Sequence, residues 1–460
     1  MNAYLIKNAQ VVNEGNISVA DVLIKNGRIE KIAESIQPNF SVQEIDAEGL
    51  YLLPGVIDDH VHFREPGITR KATVYTESKA AVAGGITSFM EMPNTVPPAL
   101  THDLLEEKYA IASQTSLANY SFYLGASNDN MEEIKKLNNR KNDICGLKIF
   151  MGSSTGNLLV NDSNVLENIF AACETLIATH CEEDSIIQEN YRKLKMRKPL
   201  LSAADHPIIR NDENCFASSL KAIRLAKKHG SRLHILHVST EKELQLFSSV
   251  QFLEAKKITA EVCVHYLHFT ANDYEQKGYL IKCNPAIKTA NNCDALWKAL
   301  LDGHLDIIAT DHAPHLLSEK GFERNADGKL IPLETATYEH SGGGLPLVQH
   351  SLQLMLHYVK EEKISLEKVV EKMSHAVARC FQIQERGFIR EGYFADLVLV
   401  NMNKKYTVSQ KNILYKCGWS PFENFTFPAT IEKTFVNGNL VYDNGVFDES
   451  VKGVRLKFNR

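Results

Sequence analysis

Apolar and polar positions alternate at period two near the start of the chain, in short runs at Tyr4–Ile6, Gln10–Val12, Val19–Lys25 and Arg28–Ala33. Such alternation sends successive side chains to opposite faces of a strand, and the Asn26-Gly27 step between the last two runs is a strong hairpin signal. The same texture returns near the other end, at Asp396–Val400, Ile431–Val436 and Leu440–Tyr442, with Asn437-Gly438 as a second turn. Neither end has enough residues to bury a core alone. Residues 1–53 and 386–460 are therefore read as two parts of one small β-sandwich domain.

Between them, residues 54–385 alternate short apolar runs with stretches of helical spacing. The strand-like runs are Thr87–Met92, Tyr120–Leu124, Gly146–Phe150, Leu176–Thr179, Arg232–His237, Thr259–Val264 and Leu305–Thr310. Helical spacing marks Lys71–Ala83, Phe216–His229 and Glu241–Leu253. The apolar run Tyr51–Ile57, interrupted by Pro54-Gly55, reads as a buried strand entering this region. The alternation predicts an α/β fold of parallel βα units, a TIM-like (β/α)8 barrel whose chemistry sits at the C-terminal strand ends. Leu316–Gly344, with Asn325-Ala326-Asp327-Gly328 and Gly342-Gly343-Gly344, reads as a long loop over one of those ends.

Composition removes several function classes. A net charge of −5 over 460 residues gives no basic footprint for nucleic acid. No uninterrupted apolar run reaches the length of a membrane span, and the first eight residues lack the apolar region of a signal peptide. Nine scattered cysteines without a C-x-x-C pair suit reduced thiols in a cytoplasm. Cys181 reads as a small buried filler. The sequence leaves room for a homo-oligomer and fixes no copy number.

The chemistry lies at the ends of the runs. His60 and His62 alternate with Val61 just past one strand, so their imidazoles project to the same side and can grip one ion. Lys148, His180, His237 and Asp311 each stand in or at the end of a separate apolar run. One such residue is usually a satisfied core group; six together point to a metal centre. Six nitrogen and oxygen donors exceed what one tetrahedral zinc needs, so two ions are implied. An ammonium at Lys148 would repel cations. A carbamate made from its amine and CO2 would offer two anionic oxygens, enough to bridge them; the alternative is an ammonium that binds a substrate carboxylate. Arg64, two past His62, shares the histidines' side and offers a fork for a carboxylate. Asn94, just past Thr87–Met92, can bond the same group.

His60-Val61-His62-Phe63-Arg64-Glu65-Pro66-Gly67, Met92-Pro93-Asn94-Thr95, Gly146-Leu147-Lys148, Thr179-His180, His237-Val238-Ser239 and Asp311-His312-Ala313-Pro314-His315 together resemble the cyclic amidohydrolases, and among them the dihydroorotase family most closely. The resemblance covers nearly the whole chain. It implies two zinc ions, the more buried one on His60, His62 and Asp311 and the second on His180 and His237, with carboxylated Lys148 bridging. It also implies that His315 completes the carboxylate site and that Asn284 contacts the ring. The reaction implied is reversible hydrolysis of L-dihydroorotate to N-carbamoyl-L-aspartate, with Asp311 shuttling the proton. Paired ions would lower the pKa of a shared water from about 15.7 toward 7 and furnish the attacking hydroxide. Rival readings are an amidase for dihydropyrimidines, hydantoins or allantoin, and a non-catalytic scaffold; the second is disfavoured because all six donor positions are filled. His265 and His268 are read as supporting residues.

Overall fold

The structure is a computed structural model that describes residues 3–152, 156–250 and 252–460. Its centre is a parallel barrel of eight strands: Val56–Val61, Ile86–Glu91, Asn119–Phe122 continued by Leu124–Gly125, Leu147–Phe150, Ile177–His180, Leu233–Ile235, Ile258–Cys263 and Ile307–Ala309. Each pairs in parallel with the next. The third strand jogs at Tyr123, pairing backward through Asn119–Phe122 and forward through Leu124–Gly125. Eighth and first strands close the ring: Val61 bridges His312, and the Thr310 hydroxyl donates to Asp58 at 2.6 Å.

The apolar run Tyr51–Ile57 serves two bodies. Tyr51–Pro54 joins the sheet made by the chain ends, and Val56–Val61 enters the barrel. Gly55 is the break between them; a Cβ there would lie 2.1 Å from the Thr87 hydroxyl, so only glycine allows the approach. The sheet of the chain ends has nine strands. Eight run in the order Val446–Phe447, Asn439–Asp443, Thr430–Val436, Leu397–Asn401, Tyr51–Pro54, Tyr4–Asn13, Asn16–Lys25 and Arg28–Ala33, and Gln43–Asp46 lies beside Tyr4–Asn13. Tyr4–Ile6 and Gln10–Val12 are thus one strand, broken in register between Ile6 and Ala9. The two Asn-Gly turns meet face to face, Gly438 packing on Gly27.

Two elements differ from the sequence expectation in ways that matter for the site. The helix expected from Lys71 begins at Val74, because Thr73 caps it in a box with Thr76; Lys71 is left on the loop at the barrel mouth. The loop 316–344 carries a turn at Ser318–Lys320 and a small hairpin, Phe322–Arg324 with Leu330–Pro332, whose strands are too short to show a period. Elsewhere, the helix expected over 241–253 is only Glu241–Leu244, since Ser248, Ser249 and Val250 in succession are weak helix formers; residue 251 lies outside the described residues. No helix among the described residues is long and apolar enough to cross a membrane.

Candidate metal centre and ligand cavity

Strand ends bring His60, His62 and Asp311 together. Nε2 of His60 and Nε2 of His62 both lie 3.1 Å from Oδ1 of Asp311. The far nitrogens are already committed. His60 Nδ1 donates to Glu261 Oε1 at 2.6 Å, and His62 Nδ1 donates to Asn94 Oδ1 at 2.7 Å. Each ring is thus fixed at Nδ1, and its Nε2 faces the same carboxylate oxygen. The three atoms form a buried group that could hold a metal ion, and a proton on His60 satisfies the same contact when no ion is bound. Burial pulls the His60 imidazolium down, yet Asp311 and Glu261 lift it to about 9. Burial favours the neutral acid at Asp311, but His60 and His62 hold its carboxyl well below the usual range.

The second pair lies alongside. His237 Nε2 is 2.8 Å from His180 Nδ1, and the His60 and His237 ring centres are 5.3 Å apart. His180 Nε2 is anchored on Glu182 at 3.1 Å, so its Nδ1 carries the lone pair that faces His237. Lys148, 1 % exposed, sets its Nζ 4.6 Å from the Phe150 ring centre, itself 6.2 Å from the His180 ring. Among the described residues no ion pair involves Lys148. Burial pushes its ammonium down to about 8, so part of it is free amine at neutral pH, the form that adds CO2. His60, His62 and Asp311 form a group that could hold a metal ion, with His180 and His237 beside it and Lys148 buried nearby.

Three residues here hold left-handed backbone without being glycine: Arg64 (φ 67°), His237 (φ 40°) and Asp311 (φ 48°). Such strain costs about 1–3 kcal/mol per residue and concentrates at functional sites. At Arg64 the guanidinium is buried near His62 and Asp311; Nε donates to the Pro314 carbonyl at 3.3 Å, and no carboxylate lies within ion-pair distance among the described residues.

The other expected ligand contacts are differently engaged. Asn94 spends its oxygen on His62, leaving only its NH2 to face a ligand. His315 has both nitrogens occupied: Nδ1 accepts from Lys71 Nζ at 3.0 Å, and Nε2 donates to the Gly343 carbonyl at 3.1 Å. Burial, with Arg64 and Lys71 nearby, pushes its imidazolium down to about 3, so it stays neutral. Asn284 stands beside Gly343, its Oδ1 buried without a hydrogen-bond partner.

Sequence reasoning missed Glu261, Glu182, Lys71, Lys282, Glu319 and Lys320. Lys71 and Arg70 pair with Glu319, tying the loop after the first strand to that after the eighth. Lys320, fully buried, donates to the carbonyls of Lys282, Gly342 and Gly344. Glu261 carried a signal: it is a carboxylate within an apolar strand. Of the supporting histidines, His265 is buried and His268 bonds the Tyr358 hydroxyl at 3.0 Å.

An eight-stranded α/β barrel with nitrogen and oxygen donors converging at its C-terminal strand ends defines the class. The sequence model of the amidohydrolase family matches residues 51–441, so the chain belongs to that family and is a cyclic amidohydrolase. A dihydroorotase of Methanosarcina acetivorans is 32 % identical over 95 % of this chain and 91 % of its own length. An allantoinase of Desulfitobacterium hafniense is 28 % identical over 98 % of each. The solved L-hydantoinase (dihydropyrimidinase) from Arthrobacter aurescens superposes with a TM-score of 0.90 at 27 % identity, covering 99 % of this chain and all of that one.

Proposed function

We propose that the protein is a dihydroorotase that opens L-dihydroorotate to N-carbamoyl-L-aspartate, and closes it again, in a cytoplasm. One observation carries the choice of substrate: Arg64 is a buried cation near the donor set with no carboxylate within ion-pair distance among the described residues. A ring bearing a carboxylate would complete it. Dihydrouracil, hydantoin and allantoin carry no carboxylate and would leave it unpaired. The nine free, buried cysteines support the compartment.

In this reading His60, His62 and Asp311 would hold one zinc ion, His180 and His237 another, and a carbamate on Lys148 would join them. Bound there, the ions would supply Lewis-acid polarisation of the ring carbonyl and a more acidic water. Asp311, kept ionised, accepts the proton as water adds to the carbonyl carbon. It returns that proton to the ring nitrogen as the C–N bond breaks. Arg64 holds the carboxylate of the ring, the NH2 of Asn94 adds a donor, and Asn284 Oδ1 accepts a ring N–H. His315, linked to Gly343 and Lys71, shapes the wall behind the carboxylate. Ring closure runs the same steps backward from the protonated carboxyl, so mildly acidic conditions favour it.

The test follows loss of ring absorbance in parallel with L-dihydroorotate, dihydrouracil, hydantoin and allantoin. Dihydroorotate is expected to be preferred by about 10⁴-fold or more in kcat/KM, the penalty for a buried polar group left unpaired. Comparable turnover of a neutral ring would overturn the substrate assignment and leave the barrel hydrolase in place.

A further inference from the structure

Glu261 lies in the seventh barrel strand and is fully buried. Its Oε1 accepts two hydrogen bonds that belong to different halves of the donor set. One comes from His60 Nδ1 at 2.6 Å, the other from the backbone N–H of His237 at 2.9 Å. The first fixes His60 Nδ1 as the donor to Glu261 and turns Nε2 toward Asp311 and the donor set. The second holds His237 in its left-handed backbone, which brings its ring to His180. Behind it, Oε2 lies 3.3 Å from His234 Nε2, which stands at the same distance from Asp59 Oδ2. His234 Nδ1 is in turn 2.8 Å from the Thr259 hydroxyl. All these groups are buried.

We propose that Glu261 is a positioning residue shared by both halves of the metal centre, with His234 and Asp59 bracing it from behind. The inference rests on the donor assignment above and is independent of which ring the protein opens. A carboxylate behind one metal-bound histidine tunes one ion. A carboxylate oxygen shared between His60 and the backbone of His237 ties the two halves together, so its loss weakens both ions in parallel. Asn94, whose side chain bonds His62 and no other of the described residues, provides the contrast of a support that serves one half.

The experiment is zinc stoichiometry by atomic emission, with zinc affinity by chelator competition, on the wild-type protein and on Glu261→Leu, Glu261→Gln and Asn94→Ala. Thermal melting of the zinc-stripped proteins controls for folding. In Glu261→Leu both ions should be held about 10- to 100-fold more weakly. Glu261→Gln, which keeps an acceptor oxygen and loses the charge, should fall between it and the wild type. Asn94→Ala should weaken one ion. Loss of a single ion in Glu261→Leu, or wild-type affinity for both, would overturn the shared role. If Glu261→Leu does not fold, Glu261→Gln decides: unchanged affinity for both ions overturns the proposal. A wild-type protein that binds no zinc would instead overturn the donor assignment, and the proposal with it.

Discussion

A buried guanidinium without an ion-pair partner is costly to keep, because burial removes its hydration and a single carbonyl bond with more distant carboxylates replaces it in part. Arg64 is such a group, and its left-handed backbone adds strain. A ligand carboxylate would relieve the first cost. Arg64→Met keeps most of the apolar stem and removes the fork. It should lower kcat/KM for dihydroorotate by about 10²- to 10⁴-fold, the loss expected when one partner of a desolvated charge pair is truncated. Any residual turnover of dihydrouracil should hardly change. Steady-state kinetics on both rings checks this, and an equal loss on both would mean that Arg64 shapes the cavity and does not read the carboxylate. That His60, His62 and Asp311 come together, with His180 and His237 beside them, was legible in the sequence because each interrupts or ends an apolar run. Glu261 was not singled out because its partner His60 lies 201 residues away, and no local pattern reports such a pairing. Lys71 was hidden inside an expected helix, where a lysine reads as a solvated face.

Loops joined to strand ends give the cavity its wall. Lys320 reaches carbonyls on two segments, Lys282 on one side and Gly342 and Gly344 on the other. Lys282 sends its own ammonium to the Ser341 carbonyl and hydroxyl, at 2.9 and 3.0 Å. Asn284 and Gly343 are held between these two staples. Lys320→Met fills the same space and takes the donor from the Gly342 and Gly344 carbonyls, while the Lys282 carbonyl keeps the N–H of Gly344 at 2.9 Å; each unsatisfied group costs about 1–3 kcal/mol. Partial relaxation of the loop should bring the net loss to about 2–4 kcal/mol. Denaturant unfolding checks the loss, and limited proteolysis should show earlier cleavage within 316–344. Unchanged stability and protection would show that the carbonyls find other donors. Strands and the two Asn-Gly turns were readable from period and turn chemistry. The small hairpin and the lysine staples were not, since they depend on which carbonyls the folded loops bring together.

At the scale of the whole molecule, the end of the chain braces the barrel on the side away from the site. Val454 and Leu456 bond the backbone of Tyr120 at 3.1 and 2.9 Å, and Phe458 bonds Asn142 at 3.0 Å. Arg460 reaches the carbonyls of Cys145 and Phe381, each at 2.8 Å, and the Thr175 hydroxyl at 2.7 Å. These contacts gather the entry points of the third, fourth and fifth strands. Lys148 and His180 stand on the fourth and fifth strands, about 10 and about 16 Å from the floor contacts at Cys145 and Thr175 at a strand's rise per residue. Leu456 and Phe458 are almost fully buried; their burial contributes about 3–6 kcal/mol, a large share of the roughly 5–15 kcal/mol that holds a typical domain together. Removing residues 454–460 should therefore lower the urea midpoint sharply. Where the shortened chain remains folded, zinc affinity should stay near that of the full chain, because the four-residue strands themselves fix the donors. Urea titrations with and without zinc separate the two effects. A truncated protein that keeps its midpoint but loses zinc would mean instead that the floor positions the donors through the strands.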